Sequence, residues 1–264
     1  MKLIFIRHGE PDYVNDSLTE RGKLEAEALA KRVAKWDITD IYMSPQGRAQ
    51  ATAAPSLAAL GRDAKVLDYL HEFSYRVSDP VTGRQGVPWD FVPSDWTACD
   101  EMFLEGDAFM KYPCIAANGE IPVKYKEAID GFDELLAGYG YQRNGRYYIN
   151  ENAEERYLKA TVNQNNEVCD NSPKLKDGEK EPVLIFFCHL GITCLILSHL
   201  LNIPFETLTH GFFLPTTSVT VLSTEERWGK EAYFRVQCMG DTRHLSDAGL
   251  SVSPAGYFAG PFQG

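Results

Sequence analysis

Two histidines, two arginines and a glutamate stand where the chain would deliver them to the ends of apolar segments: Arg7 and His8, Arg48, Glu72 and His189. Together these types suit phosphoryl transfer, which needs a nucleophile in line with the leaving oxygen and fixed positive charge around the equatorial oxygens. His8 would be the nucleophile, neutral at the attacking nitrogen, with its other N–H held by a backbone carbonyl that sets tautomer and ring direction. Arg7 and Arg48 supply planar forks matched to phosphate oxygens. His189, when protonated, adds a third cationic donor. Glu72 would protonate the leaving oxygen and then, as carboxylate, activate the water that cleaves the phosphohistidine. Gly9 would leave room for substrate against the backbone. Taken singly, each has an ordinary alternative: a surface ion pair for an arginine, a satisfied core side chain for a histidine, and pairing with Arg76 or Arg84 for Glu72. The ordered set carries the argument. Cys188, directly before His189, reads as buried filler, because position 194 holds Cys194 where a cysteine phosphatase needs arginine.

The elements that must position these groups follow from hydrophobic period and turn chemistry. Residues 2–6 read as a buried strand ended by Arg7-His8-Gly9-Glu10-Pro11. Thr19 is a candidate N-cap for a helix over 23–36, whose inward stripe would be Leu24, Ala28, Leu29 and Val33. A strand over 38–43 precedes the turn Ser44-Pro45-Gln46-Gly47, and Arg48 opens an Ala-rich helix to Leu60. A third strand is expected over 66–70, ending at His71-Glu72. Residues 123–137 read as a helix, and Asn144-Gly145 centres a hairpin over 141–149. The polar tract 163–181 is a surface connection. A fully apolar strand over 183–188 ends at His189 and leads into a helix over 191–201, and 218–222 with 233–238 form a closing strand pair. Alternating strands and helices predict a three-layer α/β/α sandwich on a mostly parallel sheet, with the site at the carboxyl ends of the strands.

Between 73 and 121 this pattern lapses. Pro80, Pro88, Pro93 and Pro113 interrupt a stretch holding Trp89, Phe91, Trp96, Phe103 and Phe109, which is either an inserted lid-like cap or a small satellite core. No repeat or linker is visible, so 1–264 is one elaborated domain.

With 264 residues, 44% of them hydrophobic, the chain can bury a full core. A net charge of −11 argues against nucleic acid as a partner, which would need a basic face, but leaves a locally positive pocket open. The six cysteines show no CxxC pair, and no apolar run approaches the ~18 residues of a membrane span or forms a signal-peptide core. The expectation is a cytoplasmic protein with no membrane partner. No Walker loop, GxSxG, HExxH or EF-hand pattern occurs, and no metal or other cofactor is expected.

Arg7-His8-Gly9 after a first strand resembles the RHG signature of the histidine phosphatase superfamily, which includes the cofactor-dependent phosphoglycerate mutases. The likeness continues in order. Leu18-Thr19-Glu20-Arg21-Gly22 resembles the LTxxG lead-in, 44–53 resembles SPxxRAxxTA, Glu72 falls where the family places its acid, His189 resembles the second family histidine, and 240–245 resembles a late NDxxHL-like stretch that includes His244. The resemblance implies a phosphoglycerate mutase-like fold and a small phosphorylated substrate. Many members dimerise, which leaves a homodimer open.

Two departures narrow the reading. The family has glycine after its second histidine, whereas here the order is His189-Leu190-Gly191, and Leu190 excludes the aspartate that acid phosphatases of the family carry there. The mutases follow RHGES with Trp-Asn, whereas here the asparagine, Asn15, falls one place later, where it remains a candidate phosphate contact. The expected function is therefore metal-independent hydrolysis of a phosphomonoester through a phosphohistidine. Mutase-type transfer and a phosphate-binding module without turnover are the alternatives.

Overall fold

The computed structural model describes residues 1–153, 180–227 and 229–263. Most of the polar tract 163–181, with Cys169, lies outside the described residues. In chain order the principal elements are β1 (Lys2–Arg7), α1 (Glu20–Val33), β2 (Asp40–Met43), α2 (Gly47–Leu60), β3 (Lys65–Val66), α3 (Ile121–Gly138), β4 (Tyr141–Asn144) and β5 (Tyr147–Asn150). They continue with β6 (Val183–Cys188), α4 (Leu190–Leu201), α5 (Phe205–Gly211), β7 (Val219–Arg227), β8 (Glu231–Asp241) and α6 (Arg243–Asp247).

These strands form one eight-stranded sheet in the order β3-β2-β6-β1-β7-β8-β5-β4. The half that runs β3-β2-β6-β1 is parallel throughout, with Ile4 opposite Ile185 and Ile185 opposite Ile41. From β1 outward, each of β7, β8, β5 and β4 is antiparallel to its neighbour. Only β7 and β5 therefore oppose β1 in direction, and the sheet is mixed but mostly parallel, as the strand and helix alternation predicts.

Strand alternation builds a core on each face. Leu3, Phe5, Tyr42, Leu184 and Phe186 point to the side covered by α3, α4 and α5, while Ile4, Ile6, Ile41, Ile185 and Phe187 meet α1 and α2. Phe186 stacks between Phe5 at 4.9 Å and Tyr42 at 5.3 Å. Each such fully buried side chain stabilises the fold by roughly 1.5–3 kcal/mol.

Several local expectations hold and several shift. Thr19 caps α1 by accepting from the Gly22 N–H at 3.1 Å, so the helix begins at Glu20 and ends at Val33. Its inward face differs from the apolar stripe: Leu24 is exposed and Glu25 is fully buried. The expected strand over 66–70 is only Lys65–Val66, followed by a 3-10 turn at Asp68–Leu70 that turns the chain toward Glu72. The 141–150 hairpin turns at Gly145, whose φ of 61° favours glycine, and it joins the main sheet through β5 and β8. Within 73–121 the chain forms short helical turns and a two-stranded ribbon, Val77–Ser78 with Gln85–Gly86. Its buried Phe73, Val77, Phe91, Met102, Phe109 and Ile115 belong to the same cluster as Phe132, Phe186 and Phe205.

Candidate active site

β1 ends inside the sheet, so its last residues emerge already buried. The backbone N–H of His8 extends the ladder to the Cys188 carbonyl at 3.0 Å, and the His8 carbonyl accepts from the Thr217 N–H at 3.2 Å. His8 is almost fully buried, and its Nδ1 lies 2.7 Å from the Gly9 carbonyl. A carbonyl can only accept, so Nδ1 carries the proton and Nε2 keeps its lone pair. Burial and the nearby Arg7 guanidinium push the His8 imidazolium down to about 3, so the ring is neutral at working pH. The Gly9 N–H donates to Thr52 Oγ1 at 2.9 Å, and that hydroxyl donates to the Arg48 carbonyl at 2.7 Å. Thr52 thus ties the loop after His8 to the first turn of α2.

Gly9 has a different task from the one expected of it. A Cβ there would meet the Gly22 carbonyl at 2.9 Å and Leu18 Cδ2 at 3.3 Å, and a Cβ on Gly22 would meet the Glu10 carbonyl at 2.3 Å. The two glycines let the start of α1 dock against the loop after β1. Close packing requires both glycines whether or not substrate comes near.

Two guanidinium groups flank His8. Arg7 donates to the Leu214 carbonyl at 2.6 Å and the Ala255 carbonyl at 3.3 Å, and Arg48 pairs with Asp16 Oδ1 at 2.7 Å. Asp16 Oδ2 also accepts from the Gly47 N–H at 2.6 Å, with Asp16 itself in the left-handed region at φ 44°. These contacts hold both arginines in place, yet Nε of Arg7 and Nε of Arg48 are buried without a hydrogen-bond partner. Asp16 escaped the sequence reading because it lies in the polar turn 13–17; an aspartate before a strand-turn arginine has no spacing signature.

Glu72 reaches the site from the opposite strand edge. Its Oε1 accepts the N–H groups of Phe73 at 2.9 Å and Ile192 at 3.2 Å, in the first turn of α4, and its own N–H donates to Gln46 Oε1 at 2.8 Å. Both bonds fall on Oε1 and neither on Oε2. Burial raises the Glu72 carboxyl above the usual carboxylate range, against the opposing pull of Arg7 and Arg48. No ion pair with Arg76 or Arg84 forms among the described residues. The His189-Leu190-Gly191 order is explained here: a Cβ on Gly191 would meet Glu72 Oε1 at 2.8 Å and the Phe73 carbonyl at 2.7 Å. The glycine is required by the carboxylate.

His189 caps α4, fully buried, with its ring 5.1 Å from that of His8. Its Nε2 lies 2.8 Å from Ser44 Oγ, which also accepts from the Gln46 N–H at 3.2 Å. A serine hydroxyl accepts twice and donates once, so Ser44 either accepts from a His189 Nε2–H or donates to a bare Nε2, and in the second case the imidazole proton resides on Nδ1. Nδ1 is buried and unpartnered. Burial first, then the neighbouring His8 and Arg48, hold the His189 imidazole well below its ordinary value and so neutral. A bound phosphate dianion reverses the local sign and favours its protonation. Ser44 read from sequence only as a turn residue.

The remaining candidates fall outside this cluster. Asn15 is exposed, and its amide donates to Asp12 Oδ2 at 2.7 Å within its own turn. His71 is exposed beside the Glu72 carbonyl. His244 is buried one layer back: it meets Thr217 Oγ1 at 3.1 Å and Arg32 at 3.4 Å, and so supports the left-handed Thr217 (φ 55°) whose N–H holds His8. The Cys188 thiol is pushed up to about 12 by burial and bonds Thr193, which suits filler and not a nucleophile. No described helix is long and apolar enough to cross a membrane.

A model of the histidine phosphatase superfamily, branch 1, matches residues 3–84. Over 66 residues the chain is 38% identical to a probable phosphatase of Schizosaccharomyces pombe, covering 22% of this chain and 32% of that protein. The chain thus matches about a third of its curated relative's length. Among solved structures, Mycobacterial hydrolase 1 superposes with a TM-score of 0.56 at 16% identity, over 91% of this chain and 98% of that one. A phosphoserine phosphatase mutant from Entamoeba histolytica, in complex with phosphoserine, superposes at 0.52 and 18% identity, over 92% and 98%. At such identities the likeness is one of fold. The matched segment carries Arg7, His8, Arg48 and Glu72 and is similar to branch 1 of the histidine phosphatase superfamily, and the fold is shared with these solved structures along nearly the whole chain.

Proposed function

We propose that the protein hydrolyses a phosphomonoester through a phosphohistidine on His8 Nε2, without a metal. The observation that carries this reading is the set of buried nitrogens without partners around a neutral imidazole: Nε of Arg7, Nε of Arg48 and Nδ1 of His189. Buried polar groups in folded proteins nearly always find partners, and leaving one unpaired costs about 1–3 kcal/mol. A tetrahedral anion supplies acceptors to all of them at once.

In the first step the His8 Nε2 lone pair forms a bond to phosphorus as the phosphorus–oxygen ester bond breaks. The leaving oxygen takes the proton from Glu72 Oε2, so the alcohol departs neutral. In the second step water attacks phosphorus, its proton passes to the Glu72 carboxylate, and the phosphorus–nitrogen bond breaks to return the lone pair to Nε2. Arg7, Arg48 and a phosphate-protonated His189 balance the charge on the equatorial oxygens throughout.

The test is turnover of a panel of phosphomonoesters, including p-nitrophenyl phosphate and 3-phosphoglycerate, by wild type and His8→Ala in EDTA. Chelator-resistant phosphate release that disappears in the variant is expected. Isomerised phosphoglycerate with little free phosphate would replace hydrolysis by mutase-type transfer, and no turnover of any ester would leave a binding module.

A further inference from the structure

Aromatic rings lie against the two guanidinium groups beside His8. Tyr13 lies over the Arg48 guanidinium at 5.6 Å and is near enough to Arg7 to interact with it electrostatically, yet it is 67% exposed. Phe213 lies against the Arg7 guanidinium at 5.6 Å, and Tyr257 stacks on Phe213 with centroids 4.1 Å apart and planes 12° from parallel. Tyr257 remains 41% exposed. None of these rings belongs to either core cluster. Core packing therefore does not account for them.

The segment that carries Tyr257 is fixed to the site by polar contacts. Ala255 accepts from Arg7, and the buried Ser253 donates to Glu10 Oε2 at 2.6 Å, on the loop that leaves His8. Tyr13 sits in the turn between that loop and Asp16, whose carboxylate holds Arg48. Rings from distant parts of the chain are thus brought beside the two guanidiniums that flank the nucleophile.

Charge narrows what these rings would accept. Glu10 and Asp16 lie on the same loop and turn, and the nearby cations are already engaged, Arg48 by Asp16 at 2.7 Å and Arg21 by Glu10 at 3.4 Å and the buried Glu25 at 3.3 Å. A carboxylate or second phosphate on the leaving group would meet this acidic border. An uncharged ring would meet π-faces already polarised by guanidinium groups.

We infer that Tyr13, Phe213 and Tyr257 form the subsite for the leaving alcohol, and that it takes an uncharged aromatic group. The inference rests on the phosphatase reading for its catalytic meaning, but binding tests it independently.

Benzylphosphonate and methylphosphonate are titrated calorimetrically into wild type, Tyr13→Ala, Tyr257→Ala and Tyr257→Phe, and kcat/KM is measured for benzyl phosphate and ethyl phosphate, whose alcohols leave with similar ease. Wild type is expected to favour the benzyl compound by about tenfold or more in both assays, and each alanine variant to lower that ratio about five- to tenfold, with Tyr257→Phe retaining it. Equal losses on both members of a pair, no benzyl preference in wild type, or a preference for 3-phosphoglycerate over benzyl phosphate would overturn the subsite. Benzyl-selective phosphonate binding without turnover would sustain the subsite while removing the hydrolase reading; turnover without selectivity would do the reverse.

Discussion

Two buried polar regions lie on either half of the sheet and are built to opposite ends. In the antiparallel half, Glu226 on β7 accepts from the Tyr141 hydroxyl and from Asn150 Nδ2 at 2.9 Å, and Tyr141 also meets Thr224 Oγ1 at 3.1 Å. In the parallel half, Arg7, Arg48 and His189 are just as enclosed, but each keeps a nitrogen without a partner. The first network closes on itself and lowers the Glu226 carboxyl despite its burial. The second, on the function proposed above, is completed by an anion. A buried polar group that is satisfied stabilises the fold, whereas a convergent set left unsatisfied marks where a ligand binds.

The largest effect that would break this contrast is on activity. His8→Ala is expected to lower kcat/KM by at least about a thousandfold in a steady-state assay, with the fold kept, because the proposed nucleophile is lost while the backbone bonds of residue 8 to Cys188 and Thr217 remain. Arg48→Ala should cost about a hundred- to a thousandfold in kcat/KM while leaving the melting temperature nearly unchanged. The mirror experiment is Glu226→Ala, expected to lower unfolding free energy by about 1–3 kcal/mol in urea with kcat intact. If Arg48→Ala destabilises the fold as much as Glu226→Ala does, the distinction between the two regions collapses.

Proton linkage sharpens the same comparison. His8 titrates at about 3 and His244 at about 4 in the folded protein, both below the ordinary 6.5, so the unfolded chain binds more protons as pH falls. Their contribution to stability is fully present above about 6.5 and is lost as pH falls toward 4 and 3, which a series of thermal melts from pH 7 to 4 should show as a steady decline. Glu72 works with the opposite sign: its raised carboxyl contributes stability below its unfolded value, lost as pH rises through the folded one. For catalysis the first step needs neutral His8 and protonated Glu72. The kcat/KM profile should therefore fall on its alkaline side, and Glu72→Gln should flatten that limb while lowering the maximum.

The smallest expected effect concerns the bond between Ser44 and His189. Ser44→Ala removes the hydroxyl bonded to His189 Nε2, and a loss of about 5–20-fold in kcat/KM is expected, partly restored by Ser44→Thr, with the alkaline limb of the profile displaced. A variant with a wild-type profile would show that His189 orients itself.

Much of the site was legible before the fold. Arg7, His8, Arg48 and His189 each terminate or follow an apolar run, and parallel strands with helical crossovers bring such ends to one edge. Thr19 announced the start of α1, and Asn144-Gly145 announced the hairpin. Other features had no local signal. Leu24 fits the helical period, but the face of α1 turned inward carries Glu25, which the loop after β1 needs as an acceptor. Residues 66–70 are β-rich, yet tertiary contacts curl 68–70 into a turn so that Glu72 arrives beside α4. Asn15 carries the right donor, but Asp12, three residues away, engages it first.

By itself the sequence determined which residues are chemically capable and in what order the strands deliver them, because hydrophobic period, caps and turns act over a few residues. Only the tertiary structure decided that Asp16 holds Arg48, that Ser44 meets His189 Nε2, that Gly191 admits Glu72, and that Tyr257 comes to stack on Phe213. Those contacts join residues far apart in the chain, and their partners are selected by the packing of the sheet and its helices, which no local pattern encodes.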